Sequence, residues 1–444
     1  MINKINVSII GAGSAQFSAG IVRDLCVSPL LEEAHVNLMD IDEKRLDLIE
    51  RVAKKIVKEL GRNITFTKTI DREKALEGAN FVLNTVQYGG HSYPLEMIAL
   101  AKKHGYYKGD ALTGVSQLIF HLGLAQDVEK ICPNAWLIQS GNPVFEGCTL
   151  IHRKTKAKIL GLCHGHYGYL EIARKIGLDP EHVTAQMSGF NHWIFMTDFR
   201  YKGEDAYPLL DEWIREKGPD YWENFRPRYS DVCLSYAACE QYKLFGLMPI
   251  GDTPRILGWW YNDSLESKKR AYGPLGGFDS EEGWDLYLKD LNENLKRIED
   301  AATKDDVLAT DIFPPKQSGE QIVPIMESLV LDKERVFQVN IPNKGAIIKG
   351  FPEDLVVECP GIVNGSGIHG IAQPNLPDRI FVSAMIPFWQ AAESIVTAVA
   401  NHDRNMLLLH ILESHKTRSF DQAQALFNDI WEHPLNGFMR EWFG

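Results

Sequence analysis

The chain has 444 residues, with 47 Lys plus Arg against 59 Asp plus Glu, a formal charge of −12, and 45% hydrophobic residues. That length predicts two or three structural units, with enough chain to bury a core without disulfide or metal staples. The acidic balance argues against general nucleic-acid binding, which needs a basic footprint, and against binding to anionic membrane surfaces.

The N-terminus, Met1 to Ser8, lacks the basic start and long apolar run of a leader. No stretch reads as the 18 or so apolar residues of a membrane span. The seven cysteines, Cys26, Cys132, Cys148, Cys163, Cys233, Cys239 and Cys359, are odd in number and show no disulfide-like spacing. A reducing cytoplasm is the expected compartment.

In chain order, Ile5 to Ile10 is a short apolar run that ends in Gly11-Ala12-Gly13-Ser14, with a helix-like segment from about Phe17 to Cys26. Val36 to Met39 is a second strand candidate ending at Asp40, and Glu43 to Leu60 has helical periodicity. Phe81 to Thr85, Ala135 to Gln139 and Ile159 to Cys163 are the next strand candidates. Strands alternating with helices predict a doubly wound parallel α/β sheet of Rossmann type, with its ligand crevice at the carboxyl ends of the strands.

From about Gly189 the pattern changes. Gly, Pro and aromatic residues are dense between Tyr207 and Trp260, and long amphipathic stretches follow at Trp284 to Thr303 and Phe388 to Leu412. Phe313-Pro314-Pro315 marks a loop. We read two parts, residues 1–190 and 191–444, the second mixed and mostly helical. The segment Gly161 to Trp193 bridges both.

The glycine turn has the context of a dinucleotide site. Gly11 permits the tight turn, Gly13 lets backbone amides approach a pyrophosphate, and Ser14 lies beside them. Gln16 stands where the third fingerprint Gly belongs. Asp40, with Asp42 as second candidate, is placed for ribose hydroxyls, and a carboxylate there favours NAD over NADP. Asn84, at the end of the third strand candidate, is a further cofactor contact. A structural glycine turn is the alternative.

Four segments carry further chemistry. Ser140-Gly141-Asn142-Pro143 follows the fourth strand candidate, and Cys163-His164-Gly165-His166 the fifth. Ser188 to Trp193 contains Asn191-His192, and Gly251-Asp252-Thr253 places a carboxylate in a glycine-flanked loop. Cys163 and His192 suit a transition metal, and Asp252 suits a general base. Each also has a plain structural reading: a turn, a buried cysteine, a hydrogen-bonded histidine and a helix cap.

In combination and order, these segments resemble glycoside hydrolase family 4, the NAD- and metal-dependent glycosidases. Val339 to Gly345 and the stretch from Phe351-Pro352 to Glu358-Cys359-Pro360 extend the resemblance nearly end to end. It implies a lactate/malate dehydrogenase-like fold, with NAD on residues 1–190 and substrate, metal and oligomer contacts on 191–444. It implies oxidation at sugar C3 by NAD, loss of the C2 proton, elimination of the glycosidic oxygen, water addition and re-reduction. Cys163 and His192 match the metal ligands, the metal most simply being Mn2+. Asn142 matches a substrate contact, Asp252 is the candidate C2 base and His164 the candidate acid. His166 and Arg255 are candidates for binding substrate, Arg255 because guanidinium suits a carboxylate. Cys-His-Gly, with the segment Arg200 to Pro208, resembles the α-glucuronidase group, whereas α-glucosidases and α-galacturonidases tend to carry Glu after Cys-His. The resemblance therefore implies α-glucosiduronic acids as substrate and a homodimer or homotetramer. An NAD-dependent 2-hydroxy acid dehydrogenase fits the glycine turn but has no use for a Cys163–His192 pair. A non-enzymatic NAD or sugar sensor fits binding alone.

Overall fold

The computed structural model describes residues 4–444 except 16–17, 29–30, 32, 107–111, 227–231 and 279. Gln16, the expected break in the glycine fingerprint, and Phe17, the expected helix start, lie outside the described residues.

Six parallel strands follow the expected alternation: β1 (Lys4–Ile10), β2 (Glu33–Met39), β3 (Asn63–Thr69), β4 (Phe81–Asn84), β5 (Trp136–Gln139) and β6 (Lys158–Gly161). Their order across the sheet is 3-2-1-4-5-6, the dinucleotide-binding arrangement, with the switch point between β1 and β4. The strands read as near-continuous apolar runs because helices cover both faces. Val7, Ile9, Val36, Leu38, Val82 and Leu137 are all fully buried. β3 escaped the sequence reading because it is an edge strand, Asn-Ile-Thr-Phe-Thr-Lys-Thr, with one fully buried residue and no apolar run.

The helix Glu43–Glu59 starts and stops nearly where its periodicity predicts. The Asp42 carboxylate caps it, accepting from Lys44 N and Arg45 N, and its leucines, isoleucines and valines face the sheet.

The second part adds seven strands: β7 (Val183–Phe190), β8 (Trp193–Tyr201), β9 (Glu204–Asp205), β10 (Met248–Ile250), β11 (Arg335–Pro342), β12 (Val356–Asn364) and β13 (Gly367–Gly370). They continue the same sheet. β11 pairs antiparallel with β6 through Asn340 opposite Gly161, and β12 pairs with β7 through Glu358 opposite Gly189. The order runs β10-β8-β7-β12-β11 and then into β6. One sheet thus runs through the boundary near residue 190. A single core cluster joins Val7 and Leu38 of the first part to Val357, Ala384 and Ala392 of the second. The molecule is an α/β protein, a Rossmann-type parallel sheet extended by antiparallel strands and a largely helical second part.

Two long stretches differ from expectation. Phe388 to Leu412 is two helices, Ile386–Asn401 and Arg404–Leu412, separated where His402 turns left-handed and Asp403 caps the second. The helical run Asp378–Asn401 is also long and apolar enough, by length and composition, to cross a membrane, which the sequence reading did not expect. Its Glu393 pairs with Arg153 at 2.6 Å, tying it to the helix Val144–Lys154.

Candidate active site

At the switch point the glycine turn is built as the sequence implies. Gly11 has φ +89°, and a Cβ there would meet Thr85 Oγ1, Val86 Cγ2 and Val86 N at 3.0 Å. A Cβ on Gly13 would stand 2.8 Å from Asp40 Oδ2. The bare backbone at these two positions lets the turn pack directly on Thr85, Val86 and the Asp40 carboxylate ahead of the helix Ser18–Val27, the strand–turn–helix order of a dinucleotide-binding turn. Asp40 ends β2, and its Oδ2 accepts from Gly13 N at 2.7 Å. The turn and the carboxylate are therefore one unit, and they fit NAD.

Two expected cofactor contacts have partners within the protein. Asp42 Oδ1 caps the helix Glu43–Glu59, and Asp42 N in turn donates to Asp40 Oδ1 at 2.9 Å. Asn84 is completely buried, its amide donating to Gln139 Oε1 at 2.9 Å and its Oδ1 accepting from Val86 N. It shapes the loops after β4 and β5 from beneath.

The remaining groups meet where the parallel and antiparallel parts join. Cys163 follows β6. His192 sits at the tip of the two-residue hairpin between β7 and β8, with φ +64°, a left-handed conformation that histidine tolerates better than most residues. Cys163 Sγ and His192 Nε2 are 3.5 Å apart. His192 Nε2 is 3.5 Å from Asp252 Oδ2. Arg255 Nη2 stands 3.1 Å from Asp252 Oδ1, with its guanidinium over the Phe278 ring. The loops carrying these groups touch through glycine: a Cβ on Gly251 would lie 2.9 Å from Gly165 Cα.

The electrostatics follow from enclosure. Burial works to raise the Asp252 carboxyl, but the Arg255 charge, with His192, outweighs it and holds it well below the usual carboxylate range. Burial, with Glu358 and Asp252 nearby, pushes the Cys163 thiol up to about 12. Burial lowers His192, opposed by Asp252. Without a cation the sulfur stays protonated, and acidic groups surround it. A soft sulfur and an imidazole nitrogen converging beside carboxylates form a donor set suited to a divalent transition metal. Among the described residues no group of three or more His, Cys, Asp or Glu is arranged as a closed metal cage. A metal held by these two donors would take its remaining ligands from substrate and water.

Other predicted residues are placed as follows. Asn142, exposed at the end of β5, makes no side-chain hydrogen bond among the described residues. His164 is 63% exposed and lies 3.5 Å from Glu320 Oε1. His166 is 5% exposed, its Nδ1 3.0 Å from Cys163 O, and it lines an adjoining cavity of about 690 Å³ with Glu320 and Gln338. Arg255 is paired with Asp252.

The sequence reading missed Glu358. It is 1% exposed, accepts from Asn191 Nδ2 at 3.0 Å, and burial raises its carboxyl to about 7. It lies opposite Gly189, next to the His192 hairpin. Its only signal was its place in Glu358-Cys359-Pro360.

Comparison with known proteins agrees with this geometry. Residues 6–178 match the model for family 4 glycosyl hydrolase, and residues 187–417 match the family 4 glycosyl hydrolase C-terminal domain. The chain is 28% identical over 417 residues to an alpha-glucosidase of Erwinia rhapontici, covering 84% of this chain and 86% of that one. It is 22% identical to an alpha-galacturonidase of Thermoanaerobacter italicus, covering 99% and 98%. A 6-phospho-alpha-glucosidase from gut microorganisms, solved in complex with NAD and Mn2+, superposes with a TM-score of 0.79 at 18% identity, covering 98% and 99%.

Proposed function

This chain belongs to family 4 of the glycosyl hydrolases, and on that premise we propose that it is an α-glucuronidase, hydrolysing α-glucosiduronic acids. It is a glycoside hydrolase that works with NAD and a divalent metal. The uronide specificity is our reading. The observation that carries it is Gly165. In the resemblance drawn from the sequence, α-glucosidases and α-galacturonidases tend to carry Glu in this place, and Cys-His-Gly resembles the α-glucuronidase group. A side chain here would start 3.6 Å from Gly251 Cα and 3.8 Å from Cys163 Sγ, so residue 165 stands beside the candidate metal ligand.

Bound NAD supplies a hydride acceptor and donor, and the metal, most simply Mn2+, supplies Lewis acidity beside the sugar's C2 and C3 oxygens. The chain's own residues do the rest. Cys163 and His192 fix the metal position from two separate elements. Asn142 projects from the loop after β5 to hold sugar hydroxyls. Asp252 is ionised at any working pH because Arg255 holds it so. Such a low-pKa carboxylate is a weak base, effective only on a C–H acidified by an adjacent carbonyl. That match between weak base and activated carbon fits an oxidation–elimination route. His164, exposed and beside Glu320, is the acid this reading assigns to the leaving oxygen. On this reading Gly11, Gly13 and Asp40 of residues 1–190 serve the cofactor, and the substrate and metal are shared between Asn142, Cys163 and His164 of that part and His192 and Asp252 of 191–444, with one sheet joining the two. A homodimer or homotetramer belongs to the same reading.

The test compares kcat/KM for the 4-nitrophenyl α-D-glucuronide, α-D-glucoside and α-D-galacturonide with NAD, Mn2+ and a thiol reductant. The reading expects the glucuronide to lead by about 100-fold or more, the scale of a hydrogen-bonded substrate group lost. A lead by either other glycoside would discard the specificity and keep the family.

A further inference from the structure

Beneath the loops that follow β4 and β5 lies a buried amide–imidazole cluster that none of the steps above uses. The helix Thr113–Ile131 carries Gln117 and His121 one turn apart, both pointing at those loops. His121 is fully buried, and its Nε2 lies 2.6 Å from Gln117 Nε2 and 2.9 Å from Gln139 Nε2. The amide orientations are dictated by backbone partners. Gln117 Nε2 donates to Val86 O at 3.0 Å, and its Oε1 accepts from Tyr88 N at 2.7 Å. Gln139 Nε2 donates to Gly141 O at 2.6 Å, and its Oε1 accepts from Asn84. Both amide groups therefore turn an N–H towards His121 Nε2 and share its single lone pair, which places the imidazole proton on Nδ1. Among the described residues that Nδ1 has no hydrogen-bond partner, and a Cβ on Gly147 would lie 2.6 Å from it. An imidazole is thus held neutral, in one tautomer, with one donor left unsatisfied. Such a cost points to a purpose for the acceptor.

We propose that His121 is a positioning residue whose Nε2 clamps the Val86–Tyr88 loop to the Gly141–Asn142 loop. The clamp fixes the substrate contact Asn142 relative to the glycine turn. The link to the turn is direct: Thr85 Oγ1 donates to Gly11 O at 3.1 Å. The two loops already touch, since a Cβ on Gly141 would meet Val86 O at 2.8 Å. Hydride transfer between NAD and a sugar carbon depends steeply on such placement. Only the kinetic arm of the test below rests on the glycosidase reading.

The test begins with amide hydrogen exchange in the wild-type protein with NAD. The amides of Val86, Tyr88 and Gly141 are expected to open together, with protection within about threefold of each other. H121F, which keeps the bulk and removes the acceptor, is expected to raise exchange at all three by about 10-fold or more while the β1 amides stay protected. With the glucuronide it should lower kcat by about 10- to 100-fold and shift KM by less than about threefold. H121Q, which restores an acceptor, should recover most of that kcat. Independent opening of the two loops in the wild type overturns the proposal even if H121F fails to fold. Equal kcat for H121F and H121Q overturns it as well. Coupled exchange without glucuronide turnover would sustain the clamp and discard the substrate reading.

Discussion

In the parallel part of the sheet each strand is followed by a helix, and the strand that carries the glycine turn, β1, pairs with β2, the next strand in the chain. In the antiparallel part, β12 reaches β7 and β11 reaches β6 across more than a hundred residues. The cofactor turn belongs wholly to the first kind: Gly11, Gly13 and Asp40 come from adjacent strands. The candidate metal pair belongs to the join, with Cys163 just after the last parallel strand and His192 at the tip of the first antiparallel hairpin. Cofactor binding is therefore a local property of the chain, and metal binding reports on assembly of the whole sheet. Substitutions on the two sides should fail in different ways.

The largest effect is expected at the join. Cys163→Ser or His192→Asn should abolish turnover, by about 10³-fold or more, since the Lewis acid contributes several kcal/mol. NAD affinity should stay near wild type, and calorimetric titration with Mn2+ should show weakened metal binding. Asp252→Asn comes next, at about 10²-fold in kcat, the lower range for a lost general base. It should also slow exchange of the sugar C2 proton with deuterated solvent. Retained C2 exchange would move the base elsewhere.

Gly189→Ala probes assembly without touching a donor atom. Gly189 has φ +155°, and a Cβ would meet Trp193 O at 2.2 Å, which is backbone and cannot swing away. A loss of about 2–4 kcal/mol in chemical denaturation is expected, with metal affinity falling alongside. On the cofactor side, Asp40→Ala should raise the NAD Kd by about 10-fold, the scale of one charged hydrogen-bond partner, and leave Mn2+ binding intact.

The last expectation concerns the floor beneath both loops and is read as a dependence on pH. Burial depresses His121 from 6.5 to about 3. A lowered folded-state pKa means that the unfolded chain binds the extra proton. Stability is then full above about pH 6.5 and falls by about 1.4 kcal/mol per unit as pH drops towards 3. H121F should flatten that slope in denaturation measured between those limits.

The same contrast explains what was legible in the sequence. The Gly11 turn, Asp40 and the helix from Glu43 were readable because strand, turn and cap are local signals. The Cys163–His192 pairing came through resemblance. Nothing in the spacing of the two residues reveals that Glu358 opposite Gly189 will bring the hairpin tip beside β6. Glu358 itself was invisible, because a carboxylate in an apolar strand carries no signal until its partners Asn191 and Gly189 are known. The Arg255–Asp252 pair was not foreseen, although the two residues are three apart on one short helix, because a guanidinium that near a carboxylate in sequence is as readily turned to solvent or ligand.

One measurement tests the central claim most directly: recording nitrophenol and NADH together as the protein, with NAD and Mn2+, acts on the 4-nitrophenyl glucuronide. The account predicts many turnovers of nitrophenol per active site, dependent on both additions, with no net accumulation of NADH. NADH rising in step with product, or nitrophenol released without NAD, would contradict it.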